Sequence, residues 1–192
     1  MLIAAHHLID RLRHPRTRAD DLAALRRRFA AVRPPTQAED EAAQELRRQR
    51  LALSAALSEV TSCGGCAKGH PLPAGQWQGG HCCSGRTEGV FTDDEVAALR
   101  FAGTSHFDLM PPHAAHAGCV FRGPTGCSLR PEHRPNICVR YLCRELEDEL
   151  RERGQLSAVK ALSAELGRAF KNFVRLRPQE GPEDGMDGFP LG

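Results

Sequence analysis

The sequence predicts a mainly α-helical protein with little or no β-sheet, built around a large, irregular, cysteine-rich centre that is organised by metal. Three observations lead to this fold class. Apolar residues recur at helical spacing towards both ends of the chain. Most of the stretch from 61 to 137 is rich in glycine and proline and lacks a sustained period. All eight cysteines lie between Cys63 and Cys143.

Two helices are predicted before the cysteines, separated by the helix-breaking sequence RPPT. Residues 18–32 and 36–60 each carry an apolar stripe, and acidic residues occupy the first turn of the second helix, where the helix dipole favours them. The stripe residues are Leu22, Leu25 and Phe29, then Ala43, Leu46, Leu53, Leu57 and Val60. We interpret residues 1–60 as an N-terminal helical extension.

The remaining helices are predicted from 92 onwards. Thr92 and Glu95 match a capping box ahead of an apolar run that ends at Gly103. Residues 139–154 and 157–176 each show a helical apolar stripe and predict an antiparallel hairpin. Residues 61–176 are therefore expected to form a cysteine-cluster metal-binding domain ending in that hairpin. The Gly-, Pro- and acid-rich residues 177–192 predict a disordered tail.

Composition limits the classes of partner and compartment. The net charge is only +2, and the arginine-rich helices lack interleaved aromatic residues, which makes nucleic-acid binding an unfavoured interpretation. No stretch approaches the roughly 20 apolar residues of a membrane-spanning helix, and no secretory signal is evident. We therefore expect a cytoplasmic protein without a membrane partner. Thiols stay reduced there, so eight cysteines indicate metal or redox chemistry.

The cysteine spacing points to metal ligation. Two residues separate Cys63 from Cys66, which lets both sulfurs face one ion. The adjacent Cys82 and Cys83 leave the backbone in different directions, so either each serves a different metal or one of them packs without ligating. The predicted metal ligands are Cys63, Cys66, Cys82, Cys83, Cys119, Cys127, Cys138 and Cys143. Ferredoxin, zinc-ribbon, thioredoxin and radical-chemistry spacings are absent, and no motif identifies a catalytic residue.

The surroundings of the later cysteines offer further candidates. Five arginines, against one acid, lie between Cys119 and Arg144, the residue that follows the last cysteine. They could offset the negative charge of metal-bound thiolates, and a solvated basic surface is an equally good interpretation. The five are Arg122, Arg130, Arg134, Arg140 and Arg144. His81 is a possible additional ligand, whereas the other loop histidines, His133 among them, are expected to be solvated.

Residues 63–145 resemble the YkgJ-type cysteine-cluster proteins, a family with a CxxCxxCC hallmark that is described as zinc- or iron-chelating. The adjacent cysteines precede FTDDEVAAL, Cys119 heads CVFR, and Cys127 opens CSLRPEHRPNICVRYLC. That last run is the most specific part of the resemblance. The chain departs from the hallmark at the front, where 15 residues separate Cys66 from Cys82.

The resemblance implies metal or iron–sulfur binding. Our first hypothesis is an iron–sulfur cluster or iron in an electron-transfer or oxidoreductase-associated role, with an unidentified protein or redox partner, because four thiolates hold such clusters. The alternative is a zinc-binding structural or adaptor protein, since zinc also takes thiolates. A third, resting on the family alone, is a protein-modifying enzyme of the lysine-methylase kind that uses the cluster as a scaffold. Whether there is one metal centre or two stays open.

Overall fold

The computed structural model describes residues 18–62, 87–113, 119–123 and 126–178. Its helices are α1 (Arg18–Ala31), α2 (Gln37–Ala56), α3 (Thr87–Val90), α4 (Asp93–Phe101), α5 (Asn136–Arg140), α6 (Arg144–Glu152) and α7 (Leu156–Leu176). Two antiparallel strands, β1 (Arg122–Gly123) and β2 (Gly126–Cys127), and a 3-10 helix (Pro131–His133) lie between α4 and α5. The prediction of a mainly helical chain is confirmed for the described residues. The CxxC pair, the adjacent cysteines and residues 179–192 of the predicted tail lie outside them.

Local sequence explains where α2 begins. Thr36 is its N-cap, and its hydroxyl accepts a hydrogen bond from the Glu39 backbone N–H. The Glu39 carboxylate accepts in return from the Thr36 N–H at 2.8 Å, which completes a capping box. Glu39 is fully buried and also pairs with Arg33. That side-chain hydrogen bond is the main reason why the pKa of Glu39 falls to about 2.

The long helices α2 and α7 contact one another, and both contribute, together with α4, α5 and α6, to one hydrophobic cluster, here called the helical core. The predicted helix over 36–60 ends earlier, at Ala56, and its stripe residues Leu57 and Val60 are only partly buried. The fully buried members of the cluster come from α2, from α4 and its C-cap, and from α5, α6 and α7. They are Ala43, Leu46, Leu53, Ala97, Ala98, Phe101, Ala102, Val139, Leu146, Leu150, Val159, Leu166 and Phe173. Both N-terminal helices thus share buried clusters with residues of the 61–176 region.

A second cluster, here called the cysteine core, lies on the other side of α4. It contains Leu22, Leu25, Phe29, Val90, Phe91, Val96, Leu99, Leu109, Cys119, Val120, Phe121 and Leu129. Helix α4 contributes to both clusters, with Ala97 and Phe101 in the helical core and Val96 and Leu99 in the cysteine core. The helix is therefore buried on two opposite sides, and the small Ala97 and Ala98 let neighbouring helices approach it.

The predicted helix over 139–154 is wrong at its start. Helix α5 ends at Arg140 and α6 begins at Arg144, and the backbones of Tyr141 and Cys143 are extended. The break lets Leu142 and Cys143 pack against the helical core while the stripe residues on either side stay buried. The predicted stop after α6 is confirmed, because Gly154 has a φ of 67°, which favours glycine. Among the described helices, none is both long and apolar enough to cross a membrane.

Candidate metal centre

The structure describes four of the eight cysteines and divides them between the two cores. Cys119 belongs to the cysteine core, and Cys127 and Cys138 pack against it. Cys143 packs against the helical core instead. No disulfide joins any two of these four. The other predicted ligands, Cys63, Cys66, Cys82 and Cys83, and the possible ligand His81 lie outside the described residues.

Cys119 has the most enclosed sulfur of the four described cysteines and is 8% exposed. Burial raises the pKa of its thiol to about 11, although hydrogen bonds from the Phe121 backbone N–H and the Thr87 side chain favour the thiolate. Thr87 is itself buried, and its hydroxyl oxygen also accepts from the Val120 N–H at 3.2 Å. N–H and O–H groups aimed at a sulfur are the partners that stabilise metal-bound thiolates.

The short β-hairpin brings Cys127 towards Cys119. In the hairpin Arg122 pairs with Cys127, and the Ser128 N–H donates to the Phe121 carbonyl at 2.8 Å. The turn needs glycine at position 126, because its φ is 111°. Cys127 packs against the core that contains Cys119, and its charge acts to raise the Cys119 pKa. Strand pairing therefore folds back the segment between these two cysteines, which are eight positions apart in the sequence.

Two arginines accompany this cysteine pair. The Arg18 Nη2 donates to three carbonyls of the 119–122 segment, at 3.1 Å to Cys119, 2.7 Å to Val120 and 3.2 Å to Arg122. Burial lowers the pKa of Arg18, and the neighbouring Cys119 and Arg122 act on it in opposite directions. The Arg122 side chain is 1% exposed. Two guanidinium groups beside two thiols would offset the negative charge of a thiolate-bound metal.

The five arginines singled out in the sequence divide by environment. Arg122 is buried beside Cys127, in line with charge compensation. Arg130 and Arg144 have exposed side chains, at 70% and 95%, in line with the solvated interpretation. Arg134 Nε donates to the Leu129 carbonyl at 2.8 Å. Arg140 is directed away from the hairpin, onto α7.

The helix that carries Cys138 is held at both ends. At its start, Glu95 of α4 accepts from the Asn136 N–H at 2.9 Å, the Ile137 N–H at 3.2 Å and the Asn136 side-chain amide at 2.8 Å. At its end, Arg140 Nε donates to the Ser163 carbonyl at 3.0 Å. The predicted capping box at Thr92 is therefore only half formed, because the Glu95 carboxylate caps α5 instead of its own helix.

A buried arginine completes the polar contacts of Asn136. Arg50 of α2 is fully buried, and its Nη1 donates to the Asn136 side-chain oxygen at 3.3 Å. The Nε and Nη2 atoms of Arg50 are also buried and have no hydrogen-bond partner among the described residues. Burial lowers the pKa of Arg50 to about 10 and raises the pKa of Glu95. Asn136 thus bridges two buried groups of opposite charge.

His133 is buried rather than solvated, which corrects the sequence expectation. It is 6% exposed, its Nδ1 lies 3.0 Å from the Thr104 hydroxyl, and Arg130 donates to its Nε2 at 3.1 Å. Asp108 lies 3.6 Å from the same nitrogen. Burial lowers the pKa of His133. Because a guanidinium can only donate, the bond from Arg130 requires Nε2 to accept, which places the proton of a neutral ring on Nδ1, facing Thr104. Its partners Thr104 and Asp108 are distant in sequence, so the spacing of nearby residues does not mark the position as buried.

The donor set fits a soft, thiolate-binding metal in its chemistry. Cys119 belongs to the cysteine core and Cys127 and Cys138 pack against it, N–H and O–H groups address the Cys119 sulfur, and the buried Arg122 and half-buried Arg18 lie at the same segment. Within the residues that the structure describes, however, no three His, Cys, Asp or Glu side chains form a metal-binding group. The described thiols therefore do not by themselves complete a site.

No protein-family model, curated protein or solved structure matches this chain.

Proposed function

We propose that this chain is a cysteine-cluster metal protein that holds an iron–sulfur cluster or iron and serves electron transfer or an associated oxidoreductase. The observation that supports it best is that Cys119 belongs to one buried core against which Cys127 and Cys138 also pack, with Arg18 and Arg122 at the segment that carries Cys119. The thiols alone would be ordinary members of a hydrophobic core, but the buried guanidinium of Arg122 carries a desolvation cost that apolar packing does not offset. Ligation of a metal would account for both the thiols and the guanidinium groups at this core.

The proposed ligands begin with the three thiols of the cysteine core. Four thiolates are the usual complement of an iron–sulfur cluster, so at least one more is required from Cys63, Cys66, Cys82, Cys83 or Cys143. Such a cluster supplies reversible one-electron transfer when bound. The Phe121 N–H and the Thr87 hydroxyl would tune the electron density on the Cys119 sulfur, and the surrounding apolar residues would keep water away from it.

The YkgJ-type resemblance of residues 63–145 supports the same class of function. It is consistent with iron and with zinc, since both ions take thiolates, and the zinc-binding structural protein is the outcome against which the proposal is tested. Two four-sulfur sites would use all eight cysteines, whether those sites hold iron–sulfur clusters or zinc, so metal analysis has to separate the two.

Anaerobic purification followed by metal analysis tests the proposal. We expect iron and acid-labile sulfide in the isolated protein, with a broad absorption band near ~400 nm from sulfur-to-iron charge transfer. Cys119→Ser should lower the iron content and bleach the band. Ser128→Ala, which alters an exposed side chain next to Cys127, is the matched control and should retain both. A colourless protein with stoichiometric zinc would replace the iron–sulfur proposal with the zinc alternative, and a metal-free protein would overturn both.

A further inference from the structure

A helix of five residues carries Cys138, and its sequence alone does not explain its position. Isolated helices this short are unstable, because nucleation fixes several residues before many hydrogen bonds form. Helix α5 also has Pro135 as its N-cap residue, which provides no side-chain hydrogen bond to the first turn. Its place in the fold must come from tertiary contacts.

The contacts at its first turn come from a single carboxylate. Glu95 accepts three hydrogen bonds there, two from the backbone N–H groups of Asn136 and Ile137 and one from the Asn136 amide. Glu95 is 3% exposed, so water does not compete for these bonds. Cys138 follows Ile137 directly, and its own N–H bonds to the Pro135 carbonyl. The direction of the Cys138 side chain therefore depends on where Glu95 holds this turn.

The positive charge of the nearby Arg50 favours the charged form of the buried Glu95 carboxylate. Its guanidinium reaches Asn136 from the side opposite Glu95, and the Asn136 amide orients with its oxygen towards Arg50 and its nitrogen towards Glu95. The three residues come from α2, α4 and α5. A buried network of this kind fixes one relative arrangement of the elements that it joins, because any other leaves charges without partners.

We infer that Glu95, with Asn136 and Arg50, forms a positioning network that sets the orientation of Cys138 towards the proposed metal centre. The inference rests on the proposed function. Glu95 does not touch the metal; it acts through the first turn of α5. It distinguishes Cys138 from Cys119 and Cys127, whose segment is held by the hairpin and by Arg18 and contains no contact to Glu95 among the described hydrogen bonds.

Site-resolved thiol labelling of the holoprotein tests this inference. Anaerobically purified wild type and Glu95→Ala are treated with N-ethylmaleimide, and modification of each cysteine is followed by mass spectrometry alongside iron and sulfide content. We expect Cys138 to be modified about tenfold faster in the variant, the cost of losing hydrogen bonds to a buried charged acceptor. Cys119 and Cys127 should keep wild-type protection, and the absorption band should change shape.

Two further variants separate positioning from general stability. Glu95→Gln keeps one acceptor oxygen for the backbone N–H groups, so Cys138 should be modified at an intermediate rate in this variant. It also provides the test if Glu95→Ala does not fold. Asp93→Ala removes an exposed carboxylate from the same helix turn and should behave as wild type. Equal labelling of all three cysteines in the Glu95 variants, or unchanged protection of Cys138, would overturn the inference. Wild-type protein without metal would instead refute the proposed function, on which the inference rests.

Discussion

Gly167 in the middle of α7 should be a position where alanine destabilises the protein, although alanine is the better helix former. A Cβ atom at this position would lie 2.6 Å from Cζ and Nη2 of Arg140. The Arg140 guanidinium packs against Gly167, and its Nε donates to the Ser163 carbonyl. Gly167→Ala therefore forces the Arg140 guanidinium to shift, which we expect to break its bond to Ser163 at the end of the helix that carries Cys138.

The magnitude follows from two opposing effects. Alanine in place of glycine in a helix interior stabilises by about 1 kcal/mol. Displacing Arg140 forfeits a hydrogen bond from a charged donor, worth about 1.5–3 kcal/mol. We expect Gly167→Ala to lower the free energy of unfolding by about 0.5–2 kcal/mol in the wild type, and to raise it by about 1 kcal/mol when Arg140 is already alanine. The effect of Gly167→Ala on the free energy of unfolding thus changes sign when Arg140 is removed.

Urea unfolding followed by far-ultraviolet circular dichroism measures this cycle on four proteins: wild type, Gly167→Ala, Arg140→Ala and the double variant. Ala164→Gly, at an exposed position of the same helix, calibrates the propensity difference and should cost about 1 kcal/mol. If Gly167→Ala stabilises both backgrounds equally, the guanidinium moves aside without loss, and the argument that Arg140 anchors α5 on α7 is refuted.

Two further predictions concern pH. The folded pKa of Glu39, about 2, lies below its ordinary 4.5, so its contribution is present above pH 4.5 and is lost as the pH falls towards 2. Because the partner Arg33 is 42% exposed, we expect the free energy of unfolding of wild type, relative to that of Glu39→Gln, to fall by about 2 kcal/mol between pH 6 and pH 3. A difference between the two proteins that does not change with pH would contradict this. The folded pKa of His133 lies below 6.5, so the unfolded state binds the proton more readily and stability should fall as the pH drops through 6.5. Nuclear magnetic resonance of the His133 ring, followed as a function of pH, measures the folded pKa. A value at or above 6.5 would contradict the prediction.

The helices were predictable because their signals are local. The apolar stripes of α1, α2 and α7, the N-cap at Thr92 and the stop at Gly154 all depend on residues within a few positions of one another. The break between α5 and α6 was not predictable in this way, since the apolar stripe continues across it. What interrupts the helix is the packing of Leu142 and Cys143 on residues of other helices.

For the candidate site, the sequence indicates which residues to consider but not how they are arranged. Cysteine spacing marks the residues, yet it does not indicate that Cys138 and Cys143, five positions apart, pack on different cores. The burial of Arg50 depends on Asn136, which is 86 positions away in the chain. Contacts over such separations leave no periodic trace, so charged and imidazole side chains in these positions look like surface residues in the sequence.

The pairing of α2 with α7 has a consequence for synthesis of the chain. Helix α7 begins at Leu156, 100 residues after α2 ends at Ala56. During translation, Ala43, Leu46 and Leu53 therefore leave the ribosome long before their main covering helix exists. Growing chains hold an uncovered apolar surface through most of elongation, a state that favours aggregation and chaperone binding. Chains released before Leu156 would keep that surface uncovered and be targets for proteolysis.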